Sequence, residues 1–377
     1  MRSLLPAAAL LLGAASSLAA QDVPGDDERS VPPRQRVGVS IGDSPGVTGL
    51  RINYRDTRLV RVDGVNVTVW SPVGEPTGMV NGLALGLPVT GAREITGVAT
   101  GLFGVGAGDR ITGLGVAPLG VGAGGDLRGI MIGGLGAGSG GEVVGVAIGG
   151  LGAGAGGGIR ALAVGGLGVG SGGRTEGILV GGLGVGAGGD LRGVAVGGLG
   201  TGSGGDVSGL AVGGLGTGAG GDVTGIMLGG LGVGAGGRLR GLAVGGAGVG
   251  VGGDATGITI AGLGVGAGGT LTGLQVAVGG VGASRVRGIT IGGLAVGGRD
   301  LVGAAIAGAY LRVKDGELYG LGTGAYTHIE GRQRGLTIGL LNRVDELHGV
   351  QIGLLNYAGN RAPGLRWLPI VGWRFGQ

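Results

Sequence analysis

The residues in this chain that could do chemistry are two histidines, a set of evenly placed serines and a ladder of aspartates. His328 and His348 are the only histidines, and they lie twenty residues apart. A zinc site draws its ligands from Cys, His and carboxylates, usually four in number. With no Cys in the chain the two histidines do not complete such a set. Nucleophilic catalysis would need a Ser beside a base that is itself oriented by a third group. Ser139, Ser171 and Ser203 fall at one point of a repeating unit, which marks them as repeat positions. Asp190, Asp206 and Asp222 follow paired glycines, as in calcium-binding repeats with the pattern G-G-x-G-x-D-x-U-x on a nine-residue beat. Here the beat is sixteen, and the Asp slot becomes Arg174, Arg238, Gly158 or Thr270. That favours a solvated charged edge over a cation site.

Glycine patterns of the G-x-G-x-x-G type occur in many places, as 109 glycines guarantee. A phosphate cradle also needs a strand before the loop and a helix after it, and no amphipathic helix pattern follows any of them. Thr201 and Thr217 are too few for an ice-binding threonine array. The reading is therefore negative for chemistry. No catalytic, cofactor-binding or metal-ligating residue is assigned, no cofactor is implied, no small-molecule substrate is identified, and the protein is not expected to be an enzyme. If an active pocket exists, only the irregular units of 303–356 have room for it.

What these residues sit on is a repeat. Pivot glycines fall at 97, 113, 129, 145, 177, 193, 209, 225, 241, 257 and 273, with Ala161 in the missing slot. A fixed period of this length signals an array of stacked units sharing one core. One unit runs from Asp190 to Gly205. Asp190-Leu191-Arg192 alternates polar and apolar, and Leu199-Gly200-Thr201-Gly202-Ser203 alternates side chain with no side chain. Alternation by two is the strand signal, and the Gly197-Gly198 and Gly204-Gly205 pairs supply corners. The expected fold is all-β: a solenoid of about twenty short coils, two or three strands each. At ~4.8 Å per coil it is roughly 95 Å long. The alternative is an outer-membrane β-barrel, one tilted strand per unit. A disordered elastic or matrix protein is the second alternative.

Composition narrows these choices. Glycine is not three-periodic and only 11 Pro are present, which excludes collagen. A hydrophobic fraction of 43% is too high for simple disorder. Net charge is +4, but the arginines are dispersed with no basic stripe, so nucleic acid is not an expected partner.

The chain divides as follows. Residues 1–20 read as a secretory signal peptide, with Arg2, an apolar run to Leu12 and cleavage after Ala19 or Ala20. Residues 21–36 are a flexible lead-in, 37–96 irregular N-terminal coils and cap, 97–287 the regular array, 288–356 irregular C-terminal coils, and 357–377 a C-terminal cap. Aromatics are absent between Phe103 and Tyr310 and collect at both ends. Trp367, Trp373 and Phe375 are therefore expected in a cap core, since arrays need atypical terminal units.

Within the unit, Leu191, Val194, Val196, Leu199 and Thr201 are expected to point inward, so that Leu199→Asp uncouples neighbouring coils. Charges form two outward rows. One runs through Asp126, Glu142, Arg174, Asp190, Asp206, Asp222, Arg238 and Asp254, and the other includes Arg128, Arg160, Glu176, Arg192 and Arg240. The outward position of the middle strand is read as Met131, Ala147, Ala163, Leu179, Ala195, Ala211, Met227 and Ala243, becoming Thr259, Gln275 and Thr290 later. With the bare glycines of the third strand, that leaves apolar Ala/Met/Gly faces. Apolar patches of this extent mark contact surfaces, so self-association or contact with the cell envelope or a membrane is expected.

Near the C-terminus, Gly335-Leu336-Thr337-Ile338-Gly339-Leu340-Leu341-Asn342 is followed by Gly349-Val350-Gln351-Ile352-Gly353-Leu354-Leu355-Asn356, and then by Leu368-Pro369-Ile370. Residues 64–72 and 81–87 carry related units. These stretches, over roughly 45–100 and 320–371, resemble the leptospiral-type bacterial surface repeat proteins, with G-[LV]-x-[IL]-G-[LI]-x-N units and a closing L-P-[IF] segment. In the central array Gly replaces the Asn of that motif. The resemblance implies an exported, surface-associated repeat protein and supplies no catalytic residue. The functional expectation is a structural or adhesive element at the cell surface or outer membrane of a diderm bacterium, or released from it.

Overall fold

A computed structural model describes residues 35–70 and 76–375. The signal peptide and nearly all of the lead-in fall outside the described residues. What is described is a parallel β-solenoid of about nineteen turns, stepping sixteen residues per turn through its regular part. Each regular turn has two strands, a long one such as Leu191–Gly197 and a short one such as Gly200–Ser203. Leu191 pairs with Val207 and Gly193 with Gly209 on the long side, and Thr201 pairs with Thr217 on the short side. The corners are bonded as well: the Leu199 amide donates to the Leu183 carbonyl at 2.6 Å, and Leu215 repeats this to Leu199. A single outer-membrane strand per unit is thereby replaced, because bacterial membrane barrels are antiparallel and these rungs are parallel. An elastic coil is likewise replaced in the described residues, since the backbone is paired rung upon rung.

Glycine at the pivot is a stacking requirement. Gly193 has φ +114°, and a Cβ there would sit 2.2 Å from the Gly177 carbonyl oxygen of the turn before. The same holds down the column, Gly209 against Gly193 and Gly225 against Gly209, each at 2.1 Å. L-residues avoid this backbone region. Ala161, in the one regular slot without glycine, stays out of it.

The inward and outward sets differ from the sequence reading. Alternation runs unbroken through the pivot, so Leu191, Ala195 and Gly197 face in and Arg192, Val194 and Val196 face out. Leu191 is 1% exposed and Leu199 is 50% exposed. Thr201 is inward as expected. Val194, Val196 and Leu199 are not, and Leu199→Asp would sit in water without touching the core. Conversely the Met131, Ala147, Ala163, Leu179, Ala195, Ala211, Met227 and Ala243 column is core, as are Thr259, Gln275 and Thr290. The physical reason is strand parity, which the pivot glycine does not reset: residues two apart share a face from Leu191 to Gly197. At Gly197 a Cβ would already lie 2.0 Å from the Gly200 carbonyl oxygen. In the regular array that corner position takes only Gly or Ala, while the Ala195 column also takes Leu179, Met131 and Met227, so parity and not volume puts Val194 and Val196 outside.

The ends are built differently from the middle. At the N-terminal end the core column carries Arg51 and Asn66 instead of Ala. The Arg51 guanidinium is fully buried and donates to Asp43 (2.6 Å), Asn66 (2.9 Å), the Ser44 carbonyl (2.8 Å) and Asp56. Asp56 also accepts from Asn53 and Thr68, each at 2.6 Å. At the C-terminal end Thr327 donates to Asn342 (2.6 Å), which donates to Asn356 (2.7 Å), which donates to the Leu368 carbonyl (3.2 Å). The Asn residues of the G-[LV]-x-[IL]-G-[LI]-x-N units are thus an inward amide ladder. A last strand, Trp367–Arg374, lies antiparallel on the final rung and closes the sheet edge. Closure is by main chain and amides, not by aromatic burial: Trp367, Trp373 and Phe375 are 50%, 59% and 74% exposed, which corrects the expected aromatic cap core.

Candidate interaction surface

Turning Val194, Val196 and Leu199 outward places three aliphatic ladders side by side. Through the paired registers, the Val194 column is aliphatic at every rung from Val39, through Ile130, Ile178 and Ile226, to Val350. The Val196 column runs beside it from Ile41 to Ile352, interrupted only by Thr100 and Thr323. The closing strand extends both, Trp373 pairing with Val350 and Val371 with Ile352. At the corner, Phe103, Leu119, Leu135, Leu151, Leu167, Leu183, Leu199, Leu215 and Leu231 stand in line, their amides bonded turn to turn. About half of each of these leucines is in water. Large aliphatics belong inside a fold that has room for them. A face made of them in every turn is a continuous exposed apolar surface, the kind that marks candidate contact sites.

The opposite face is the reverse. Outward positions of the short strands are glycine from Gly104 and Gly106 to Gly280 and Gly282. Those at 170, 186, 202, 218, 234, 250 and 266 have ordinary φ, and a Cβ there would meet nothing within 4 Å. This bare-backbone face matches the sequence expectation. In the last turns its two columns become Tyr310 and Tyr326, and Arg312, His328 and Arg343. Tyr310 stacks on Tyr326 (5.5 Å) and Tyr326 on His328 (5.8 Å), while Arg312 pairs with Glu330 (2.8 Å).

Between the faces runs the charged edge, placed as the sequence indicated. Its aspartates do more than meet solvent. The Asp206 amide donates to Asp190 Oδ1 (3.2 Å), Asp222 to Asp206 (2.7 Å) and Arg238 to Asp222 (2.8 Å). Glu142 and Thr270 donate likewise to Asp126 and Asp254. Each carboxylate thereby satisfies a corner amide of the next turn, which explains Asp after the glycine pair. The next turn's amide holds the Asp126, Asp190 and Asp222 carboxyls below their ordinary range. A lowered folded-state pKa contributes stability above the unfolded value of 3.8, and loses it as pH falls through the folded value. The melting temperature should therefore decline as pH falls below about 4. The combined Asp126→Asn, Asp190→Asn and Asp222→Asn variant should show a shallower acid decline, measured as melting temperature against pH. An identical slope would show that the ladder contributes nothing.

The sequence-singled residues are not gathered into a centre. His328 is on the short-strand face and His348 on the long-strand face, paired in register with Arg334. Ser139 and Ser203 donate to the Gly125 and Gly189 carbonyls, both at 2.7 Å, and Ser171 is bonded to Thr175. They are corner staples. Thr201 and Thr217 are buried, so they form no surface array. Among the described residues no group of three or more His, Asp or Glu is placed to hold a metal ion. A shallow depression on the charged edge is lined by Arg285, Arg287, Asp300, Glu317 and Tyr319. Its carboxylates are paired, Asp300 with Arg285 at 3.3 Å and Glu317 with Arg332 at 3.1 Å. Set against protein families, curated proteins and solved structures, the chain matches none of them.

Proposed function

We propose that this protein is an exported structural or adhesive element of the bacterial cell surface, non-catalytic, that works by contact along its length. The observation carrying this reading is the aliphatic face, three ladders wide over most of the array, in water. A solenoid built to be soluble and inert would put polar residues there, because outward positions impose no packing demand. Export is supported by the signal pattern of residues 1–20 and by the resemblance of the end units to surface repeat proteins. A structural role agrees with carboxylates, serines and histidines that are spread over the surface or bonded to the next turn.

The test is fractionation of diderm cells producing the full chain, with antibody labelling of unpermeabilised cells. The parent should be labelled and retained. A variant with Ile178→Lys, Val194→Lys and Leu210→Lys should be exported but released into the medium, with retention reduced at least tenfold. A parent found only in the cytoplasm overturns the export reading. A charged-face variant retained as well as the parent overturns the contact reading.

A further inference from the structure

Resting on that reading, we infer that the partner of the aliphatic face is a second copy of this chain, packed sheet to sheet. Extent comes first. The flat part of the face, Val194 to Gly197, is four residues wide, and over about nineteen turns its area is roughly 1,200 Å². A standard stable interface takes about 800 Å² from each partner. The face is more than large enough for a closed pair.

Shape comes second. Every turn repeats at the same rise, so each ladder is a continuous ridge with a groove beside it two residues away along the strand. The surface best matched to such ridges has the same rise and spacing, and another copy supplies it. Parallel, in-register sheets pair in this way through dry, interdigitated side-chain ladders. A lipid surface is fluid and gains nothing from a fixed rise.

Charge comes third, and it argues against an anionic membrane. In the central turns arginines flanking the face are paired along the edge: Arg128 with Asp126 (3.0 Å), Arg160 with Glu142 (2.6 Å), Arg238 with Asp222 (3.0 Å). A helix or sheet face that settles on anionic lipid carries uncompensated cations at its rim. In those central turns the rim is paired, as suits a neighbour of like composition.

The experiment is sedimentation equilibrium of the purified chain without detergent, with parent and the Ile178→Lys, Val194→Lys, Leu210→Lys variant side by side. The parent should sediment as two copies or more, and the variant as one copy with an unchanged circular-dichroism melt. The chain has no Cys, so Val194→Cys, midway along its ladder, gives a clean second measurement. A bismaleimide should join Val194→Cys chains into a covalent dimer and leave Gly202→Cys chains, on the bare face, at least tenfold less joined. A parent that sediments as a single copy, or equal crosslinking at both positions, overturns the inference. So does a parent that becomes stable only as one copy bound to phosphatidylglycerol vesicles. Surface retention with a single-copy parent leaves the proposed function standing while the second copy falls.

Discussion

Gly193→Ala should lower the stability of the array by on the order of 3 kcal/mol or more, while Gly202→Ala, nine residues on, leaves it unchanged or raises it by about 0.5–1 kcal/mol. The two glycines are equal in sequence terms. Gly193 sits at φ +114° with the preceding turn's carbonyl 2.2 Å from where the methyl would be. That oxygen belongs to a paired backbone and has nowhere to move, so backbone strain and overlap add. Because the pivot stacks on its neighbours both ways, the damage spreads to adjacent turns, and repeat arrays pass such damage along. Gly202 has ordinary φ and open space around its missing Cβ. There alanine only narrows the unfolded ensemble. Chemical denaturation of both variants, followed by circular dichroism, decides the matter. Equal midpoints would show that the pivot column is not what fixes the stacking.

The second large effect is at the other kind of site. Arg51→Met should cost about 3–5 kcal/mol in the N-terminal turns, because it leaves Asp56 without a cation in a buried setting, while Asp43 keeps only Arg58 at 3.4 Å. Both carboxylates bond to Arg51, and Asp56 is almost wholly enclosed. Opening should be local. Amide exchange in 36–68 should accelerate by two to three orders of magnitude, while that of the array beyond Gly129 stays as in the parent. Arg51→Met with Asp56→Asn should recover part of the loss, since the charge left uncompensated is smaller. Uniform exchange across the chain would instead show that the whole solenoid unfolds as one unit.

Much of the fold is written in the repeat itself. The sixteen-residue beat, the paired-glycine corners and the charged edge are visible because they are periodic, and the solenoid follows from them. Which branched residues are buried is not visible that way. Hydrophobicity favours Val194 over Ala195 for the core, but alternation carries on through the pivot from Leu191, and that parity puts Ala195 inside. Whether a glycine at positive φ resets the alternation is settled by the paired backbone, and no single unit of sequence carries it. The network of Arg51, Asp43 and Asp56 was also hidden. Its residues look like ordinary polar positions in an irregular stretch until the register places Arg51 in the column of Ala195. The exposed ladders follow from the same parity, since it turns Val194 and Val196 outward, and Leu199 stands outside the corner. A signal was present: in the unit 190–205 every inward slot but Leu191 is Ala, Gly, Ser or Thr, so its other large aliphatics must be elsewhere.

The pivot column has one more consequence. Because each regular turn meets the next in the same register, through the same pivot position and the same corner amide, inserting or deleting sixteen residues creates no new kind of backbone junction. Such a change moves the two dissimilar ends apart or together by one step of ~4.8 Å and alters nothing else. The molecule is a ruler graduated in turns. Its reach can be reset by recombination between neighbouring repeats without redesigning any surface, and natural variants of this chain should differ in length by whole graduations.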